Sequence, residues 1–161
     1  MNILFTLNNA FVPQVATCMC SIFENNKSMD EINIYLLNTD ISEANKAKLK
    51  EFTKLYGRSV HFITLPNLRS LIDFDFDTNG WSPIVLARLL VLPEDIDRIL
   101  YLDGDTLVLG SLESLWELDM GNRSIGMGPE STVDVGRREF LGLGKQMYCN
   151  AGVLLIDLEK W

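Results

Sequence analysis

The sequence has 161 residues, 47% hydrophobic and 22% charged, a balance ordinary for one globular domain over residues 1–161. Its formal net charge of −8 argues against a nucleic-acid partner held by phosphate contacts. Three cysteines without Cys-x-x-Cys spacing indicate neither a disulfide framework nor a zinc site, and we expect them to be buried small hydrophobes. With Lys27 as the first lysine and no apolar run of membrane-spanning length, we expect no leader, no transmembrane segment and a cytoplasmic protein.

Alternating strand and helix patterns in the first 65 residues predict a parallel α/β sheet. Apolar runs predict strands over residues 2–7, 32–37 and 60–65. Pro13 begins a helix that extends to about Phe23. Ser42 caps a second helix, which ends before Gly57. We expect the apolar side of this second helix to carry the following residues: Leu49, Phe52, Leu55 and Tyr56.

The turn after the first strand contains Asn8 and Asn9 but lacks the Gly-x-Gly-x-x-Gly loop of dinucleotide-binding folds. The two amides either bind a base or ribose, or serve only as turn residues. The single histidine, His61, lies in the third predicted strand. With one histidine a Ser/His/Asp triad is improbable, and any metal site must be built mainly from carboxylates. We expect His61 itself to have a surface or structural role.

Between residues 67 and 80 the periodicity weakens. Asp73, Asp75 and Asp77 alternate with phenylalanines there, which favours a short strand or a loop edge over a calcium site, since the other ligands of an EF-hand loop are missing. Ser82 then begins a helix whose residues 84–92 are apolar except for Arg88. Arg88 either snorkels or pairs with a buried acid, or it projects into a cleft towards phosphate.

Two acidic residues, Asp103 and Asp105, stand between apolar runs that predict strands over residues 99–102 and 106–109. Residues two apart in an extended backbone point the same way, so both carboxylates can face one ion. Gly104 removes the side chain that would keep a ligand off the backbone. Hard oxygen donors suit Mg²⁺ or Mn²⁺, which complete their shells with water and substrate phosphates. Ordinary turn chemistry is the alternative.

The last third of the chain is predicted to contain a short helical turn over residues 112–118 and strands over 124–127 and 153–156. Arg137 and Arg138 lie in a polar segment that we expect to be mobile. Small residues from Cys149 to Gly152 directly precede the final strand. Such residues allow a ligand to approach the backbone, although tight packing needs them as well.

These segments, taken in order, resemble glycosyltransferase family 8, the group that contains bacterial lipopolysaccharide galactosyl- and glucosyltransferases and is similar to glycogenin. The resemblance covers nearly the whole chain. It rests on residues 86–89 (Leu-Ala-Arg-Leu), Pro93-Glu94, residues 99–105 (Ile-Leu-Tyr-Leu-Asp-Gly-Asp), Leu115-Trp116 with Asp119, and residues 150–156 (Asn-Ala-Gly-Val-Leu-Leu-Ile) with Trp161. Asp-x-Asp alone is a weak motif, whereas the ordered set is specific.

The resemblance implies a GT-A fold, a Rossmann-like α/β/α sandwich with a mostly parallel mixed sheet. It implies that Asp103 and Asp105 bind Mn²⁺ (or Mg²⁺) on the diphosphate of a UDP-sugar, and that Arg88 contacts the diphosphate or donor sugar. Other residues implied to bind the donor are Thr6, Leu7, Asn8, Gly104, Asn150, Ala151 and Gly152. Glu130 and Asn150 are the implied catalytic residues beside the transferred sugar. Asn8 stands where the family often has an acid.

The implied activity is the retaining transfer of galactose or glucose to a glycan, lipopolysaccharide or other sugar acceptor, by same-face attack without a covalent nucleophile. Family members continue beyond the residue matching Trp161 into a segment that supplies a histidine ligand and part of the acceptor site. We therefore expect a chain truncated at its C-terminus, with weak donor binding and poor or absent transfer. Any peripheral membrane association would come from that missing segment.

Three alternative functions remain at this point. A haloacid-dehalogenase-type phosphohydrolase also uses Asp-x-Asp, but Thr106 comes one residue too soon here and the pair lies deep in the chain. A nucleotide-sugar-binding module without turnover would share the donor site. A structural domain would bind neither UDP nor a cation.

Overall fold

The computed structural model describes residues 1–65, 71, 82–93, 95–130, 132–133 and 135–161. Its strands are β1 (Asn2–Leu7), β2 (Asn33–Asn38), β3 (Ser59–Thr64), β4 (Arg98–Leu102), β5 (Ile125–Pro129) and β6 (Cys149–Asp157). Its α-helices are α1 (Val12–Asn25), α2 (Glu43–Leu55), α3 (Ala87–Leu90), α4 (Glu113–Trp116) and α5 (Val135–Phe140), with 3₁₀ turns at Asn9–Phe11 and Pro83–Leu86. The expected strand or loop edge around Asp73, Asp75 and Asp77 lies outside the described residues.

The strands of the described chain form one mixed sheet in the order β3-β2-β1-β4-β6-β5. β1 is parallel to β2 and β4, and β2 is parallel to β3, whereas β6 is antiparallel to both β4 and β5. The α/β class and the mostly parallel sheet are confirmed. Because β1 and β4 are parallel, their carboxyl ends meet at one edge of the sheet, which places the Asn8 turn beside Asp103.

Alternation along β1 fills a core on each face of the sheet. Ile3 and Phe5 belong to a cluster that includes Val15 and Met19 of α1, while Leu4 belongs to a second cluster on the opposite face. Period-two alternation therefore buries both faces of the central strand, as expected for a sheet covered on two sides. No helix of the described residues is long and apolar enough to cross a membrane.

The predicted helix boundaries are largely confirmed. The hydroxyl of Ser42 accepts a hydrogen bond from the N–H of Asn45 at 3.3 Å, which caps α2. Gly57 has a φ of 64° and donates its N–H to the carbonyl of Lys54, which ends the helix. Leu55 was predicted on the apolar side but is 80% exposed. It lies about 120° around the helix from Leu49, at roughly 100° per residue.

Three other predictions about elements were wrong. Residues 106–109 form no strand; side chains of α1 bind the backbone of Val108 in place of a strand partner. Strand β6 begins at Cys149 rather than at residue 153, because its first residues pair with Gly128 and Pro129. The third is the helix expected over residues 84–92, which is a 3₁₀ turn followed by α3. Arg137 and Arg138 lie in α5, and the mobility expected of their segment stays a prediction.

Candidate functional site

A cleft of about 260 Å³ opens at the carboxyl ends of β1 and β4. It is lined by residues from the end of β1, from the turns before α1 and α3, and from the end of β4: Thr6, Leu7, Asn8, Phe11, Ser82, Ile84, Val85, Arg88, Tyr101, Asp103, Gly104 and Asp105. The carboxyl edge of a parallel sheet is where α/β folds commonly bind ligands. The structure therefore brings together in one cleft seven residues that the sequence predicted to bind the donor: Thr6, Leu7, Asn8, Arg88, Asp103, Gly104 and Asp105.

Asp103 is held by two donors on the same oxygen. The hydroxyl of Tyr101 donates to its Oδ1 at 2.6 Å, and Nη1 of Arg88 donates to the same atom at 3.0 Å. Burial raises the pKa of the Tyr101 hydroxyl, which therefore remains protonated and can donate. Among the described residues, no hydrogen bond involves Oδ2. One oxygen of Asp103 thus anchors the carboxylate, and the other can serve a ligand.

Arg88 connects the turn after β4 with the first part of β6. Its Nη1 also donates to the carbonyl of Ala151 at 2.8 Å, and its Nε donates to the carbonyl of Val85 at 2.8 Å. The guanidinium lies over the Tyr101 ring, 4.3 Å from the centroid. Of the two alternatives for Arg88, the pairing with an acid is observed, and the same side chain also lines the cleft.

Two glycines permit close packing in this region. A Cβ on Gly104 would lie 2.5 Å from Cγ2 of Val15, so the contact with α1 requires a glycine here. A Cβ on Gly152 would lie 2.8 Å from Oδ2 of Asp103 and 2.9 Å from Oδ1 of Asn150. Gly152 therefore leaves the space that the Asp103 carboxylate occupies.

A second pocket, of about 440 Å³, lies beside the start of β6 and is lined by Glu130, Thr132, Val133, Arg137, Tyr148, Cys149, Asn150 and Ala151. The amide of Asn150 accepts from the N–H of Gly152 at 2.7 Å and donates to Oε2 of Glu130 at 3.4 Å. Hydrogen bonds from the hydroxyl and N–H of Thr132, and then from Asn150, lower the pKa of Glu130 below its ordinary value. Glu130 is therefore a carboxylate at neutral pH.

Of the paired asparagines, Asn8 has the turn role that the sequence left open, whereas Asn9 binds the start of α2. Oδ1 of Asn8 accepts from the N–H of Phe11 at 3.1 Å, and Oδ1 of Asn9 accepts from the N–H of Ser42 at 3.0 Å. Asn8 nevertheless lines the cleft, so a ligand contact remains open to its amide nitrogen. His61 is exposed and stacks on Tyr35, with ring centroids 4.8 Å apart, in agreement with a surface role.

The three cysteines are free thiols. Cys18 is buried as predicted, whereas Cys20 and Cys149 are only half-buried. The sequence analysis also missed Tyr101. It lies two residues before Asp103 in the same strand, and period-two alternation could have identified it as a neighbour of the carboxylate.

The residues at the cleft fit a divalent cation with oxygen ligands. Asp103 and Asp105 both line it and supply hard anionic donors. Among the described residues, no cluster of three or more His, Cys, Asp or Glu side chains could hold a metal ion unaided. A cation here would complete its shell with water and substrate oxygens, as Mg²⁺ and Mn²⁺ ordinarily do.

The sheet order and the cleft define a GT-A glycosyltransferase fold. The structure of the galactosyltransferase LgtC, in complex with donor and acceptor sugar analogs, superposes with a TM-score of 0.87 at 31% identity, covering 100% of this chain and 59% of that chain. The model of glycosyl transferase family 8 matches residues 2–161, and the chain belongs to this family. The GT-A fold inferred from the resemblance is thereby confirmed, and the phosphohydrolase alternative is set aside.

Two further relatives match almost the whole length of this chain. The glycosyltransferase GlyF of Streptococcus pneumoniae is 31% identical over 170 residues, which span 99% of this chain and 37% of GlyF. General stress protein A of Bacillus subtilis is 24% identical over 172 residues, which span 100% of this chain and 57% of that protein. The chain spans about half the length of the curated relatives that it matches.

Proposed function

We propose that this chain binds a UDP-sugar with Mn²⁺ or Mg²⁺ and belongs to a retaining hexosyltransferase that moves galactose or glucose to a glycan, lipopolysaccharide or other sugar acceptor. The observation that carries the proposal is the single cleft in which Asp103, Asp105 and Arg88 meet at the carboxyl edge of the sheet. Membership of family 8 supplies the reaction class.

The cleft would suit a diphosphate ligand once a divalent cation is bound beside Arg88. A chain with a net charge of −8 offers no general attraction to an anion, so local cations must provide it. Arg88 supplies one, and a cation held by Asp103 and Asp105 would supply another. When bound, the metal would neutralise the negative charge that develops on the departing nucleoside diphosphate.

The remaining lining residues fit the rest of the donor. Thr6, Leu7 and Asn8 line the cleft together with the apolar side chains of Phe11 and Ile84, a surface that suits a base and ribose. The second pocket offers Glu130 as an ionised acceptor for sugar hydroxyls, beside Asn150 and Ala151. Gly152 supports this pocket from outside its lining, through the hydrogen bond from its N–H to Asn150. We assign Glu130 and Asn150 to the transferred sugar. A cytoplasmic location belongs to the same proposal, because the free cysteines suit a reducing compartment.

A melting-temperature screen tests the proposal directly. A ligand present at a hundred times its Kd stabilises the folded form by about 2.7 kcal/mol, a rise of roughly 5–10 °C for a chain of this size. We expect such a rise with UDP-galactose or UDP-glucose plus Mn²⁺, and a much smaller one without the metal. The matched variants Asp103→Asn and Asp105→Asn should lose the metal-dependent part.

Asp30→Asn is the control, since Asp30 is exposed and lies before β2, at the amino end of the strands. Equal stabilisation of all three variants by UDP and Mn²⁺ would contradict the cation site. An absence of any shift in the wild type would favour a structural domain instead.

A second candidate is donor binding without turnover. The pairing of only two described carboxylates at the cleft, with no third protein ligand among the described residues, favours it. Release of UDP from the UDP-sugar separates the two functions: the enzyme releases UDP with Mn²⁺ present, and the binding module shows the melting shift without release.

A further inference from the structure

Helix α1 binds the backbone of the segment that follows Asp105. The N–H of Val108 donates to Oγ of Ser21 at 3.0 Å, and Nδ2 of Asn25 donates to the carbonyl of Val108 at 2.9 Å. Both backbone groups of Val108 are therefore satisfied by side chains of one helix, in the way that a neighbouring strand would satisfy them.

The same helix holds this segment at its start. The hydroxyl of Thr106 donates to the carbonyl of Asp103 at 2.8 Å. Its single proton is thereby used, so in the 3.4 Å contact with Sγ of Cys18 the thiol is the donor. On the other side of Asp105, Gly104 packs directly on Val15 of α1. The backbone of Asp105 is thus bound to α1 on both sides.

Packing alone does not fix the segment. Val108 is 8% exposed and points into the core, but its neighbours Leu107 and Leu109 are 61% and 88% exposed. With one buried side chain between two exposed ones, the hydrogen bonds to α1 determine where the backbone lies. The exposed carboxylate of Asp105, which lines the cleft, belongs to the same segment, three residues before Val108.

We propose that Ser21 and Asn25 are positioning residues for Asp105, acting through the backbone of Val108. The inference rests on the proposed function, in which Asp105 holds the cation. Metal ligands must stay within about 0.5 Å of their working geometry. Without the two side chains, both polar groups of Val108 would turn to water and release the segment behind Asp105.

The test uses Ser21→Ala and Asn25→Ala, with Ser21→Thr as the conservative rescue. Thr17→Ala is the matched control, because both hydroxyls donate within α1: that of Ser21 to the carbonyl of Cys18 at 2.6 Å, and that of Thr17 to the carbonyl of Pro13 at 2.9 Å. The Thr17 hydroxyl has no hydrogen bond to the segment after Asp105. Two readouts are needed: amide hydrogen exchange at Val108 by NMR, and Mn²⁺ affinity in the presence of UDP from the EPR signal of free Mn²⁺.

We expect both alanine variants to exchange the Val108 amide faster and to bind Mn²⁺ with UDP about tenfold more weakly, with wild-type values in Ser21→Thr and Thr17→Ala. Asn25 is exposed, so Asn25→Ala keeps the test available if Ser21→Ala folds poorly. Mn²⁺ affinity within twofold of wild type in Asn25→Ala, or unchanged exchange at Val108, would overturn the positioning role. A wild type that binds no Mn²⁺ with UDP would instead overturn the proposed function and this inference together.

Discussion

Gly152 shows how closely the two halves of the site are packed. It lies half-buried in the first part of β6, two residues before the buried run that begins at Leu154, and its carbonyl accepts from the N–H of Asp103 at 2.8 Å. The carboxylate of Asp103 and the amide of Asn150 occupy the space that a side chain at this position would need. The residue therefore couples the proposed cation-binding position to the proposed sugar pocket.

Gly152→Ala should displace the Asp103 carboxylate, because the new Cβ would lie 2.8 Å from its Oδ2. The atoms that must shift are the ends of two side chains, so we expect little change in the free energy of unfolding, measured by urea denaturation. We expect a loss of at least about tenfold in Mn²⁺ affinity with UDP, measured by calorimetry. Gly128→Ala is the control, since open space surrounds the position of its Cβ. Equal affinities in the two variants would contradict the account.

For single residues, the sequence predicted which side chains lie together at the cleft but not the contacts that hold them there. Asp103, Asp105 and Arg88 share the cleft, as the ordered motifs predicted. The role of Gly104 was only half understood, because its contact with Val15 joins residues far apart in the chain. No local pattern reports such a contact. The position of Tyr101 beside Asp103, by contrast, could have been predicted, because side chains two residues apart in a strand point the same way.

At the scale of elements, the strands and helices with strong periodicity or a capping residue were predictable. The error at residues 106–109 has a physical reason. A short apolar run describes an extended backbone, but the partner that satisfies its hydrogen bonds can be a strand or a helix side chain. Here the partners are Ser21 and Asn25 of α1. The position of β6 was missed for a similar reason, since its start depends on pairing with β5.

The end of α1 provides a prediction about stability. Asn26 is fully buried; its Oδ1 accepts from the N–H of Leu112 at 2.6 Å and its Nδ2 donates to the carbonyl of Ile22 at 2.8 Å. Asn26→Ala should leave the N–H of Leu112 without its partner and reduce the free energy of unfolding by about 2–3 kcal/mol. Chemical denaturation measures the loss. Asn122→Ala, at an exposed position, should change it by less than about 0.5 kcal/mol. A similar effect of both variants would show that the Asn26 contacts contribute little.

At the scale of the whole molecule, the net charge of the chain and the charges at the cleft have opposite effects on the approach of an anionic ligand. The net charge of −8 repels a nucleoside diphosphate at long range, whereas Arg88 and a bound cation attract it within the cleft. Salt screens exposed charges beyond about 10 Å at 0.1 M, so it weakens the repulsion more than the attraction at contact.

We therefore expect the association rate of UDP with the Mn²⁺-loaded protein to rise about twofold between low salt and physiological ionic strength. Stopped-flow measurements with a fluorescent UDP analogue give this rate. Glu51→Lys, at an exposed position on α2, makes the net charge two units less negative and should reduce the salt dependence without changing the cleft. A rate that falls steadily with added salt would mean that the attraction of Arg88 and the cation dominates even at long range. That result would contradict the long-range repulsion expected from the net charge of the chain.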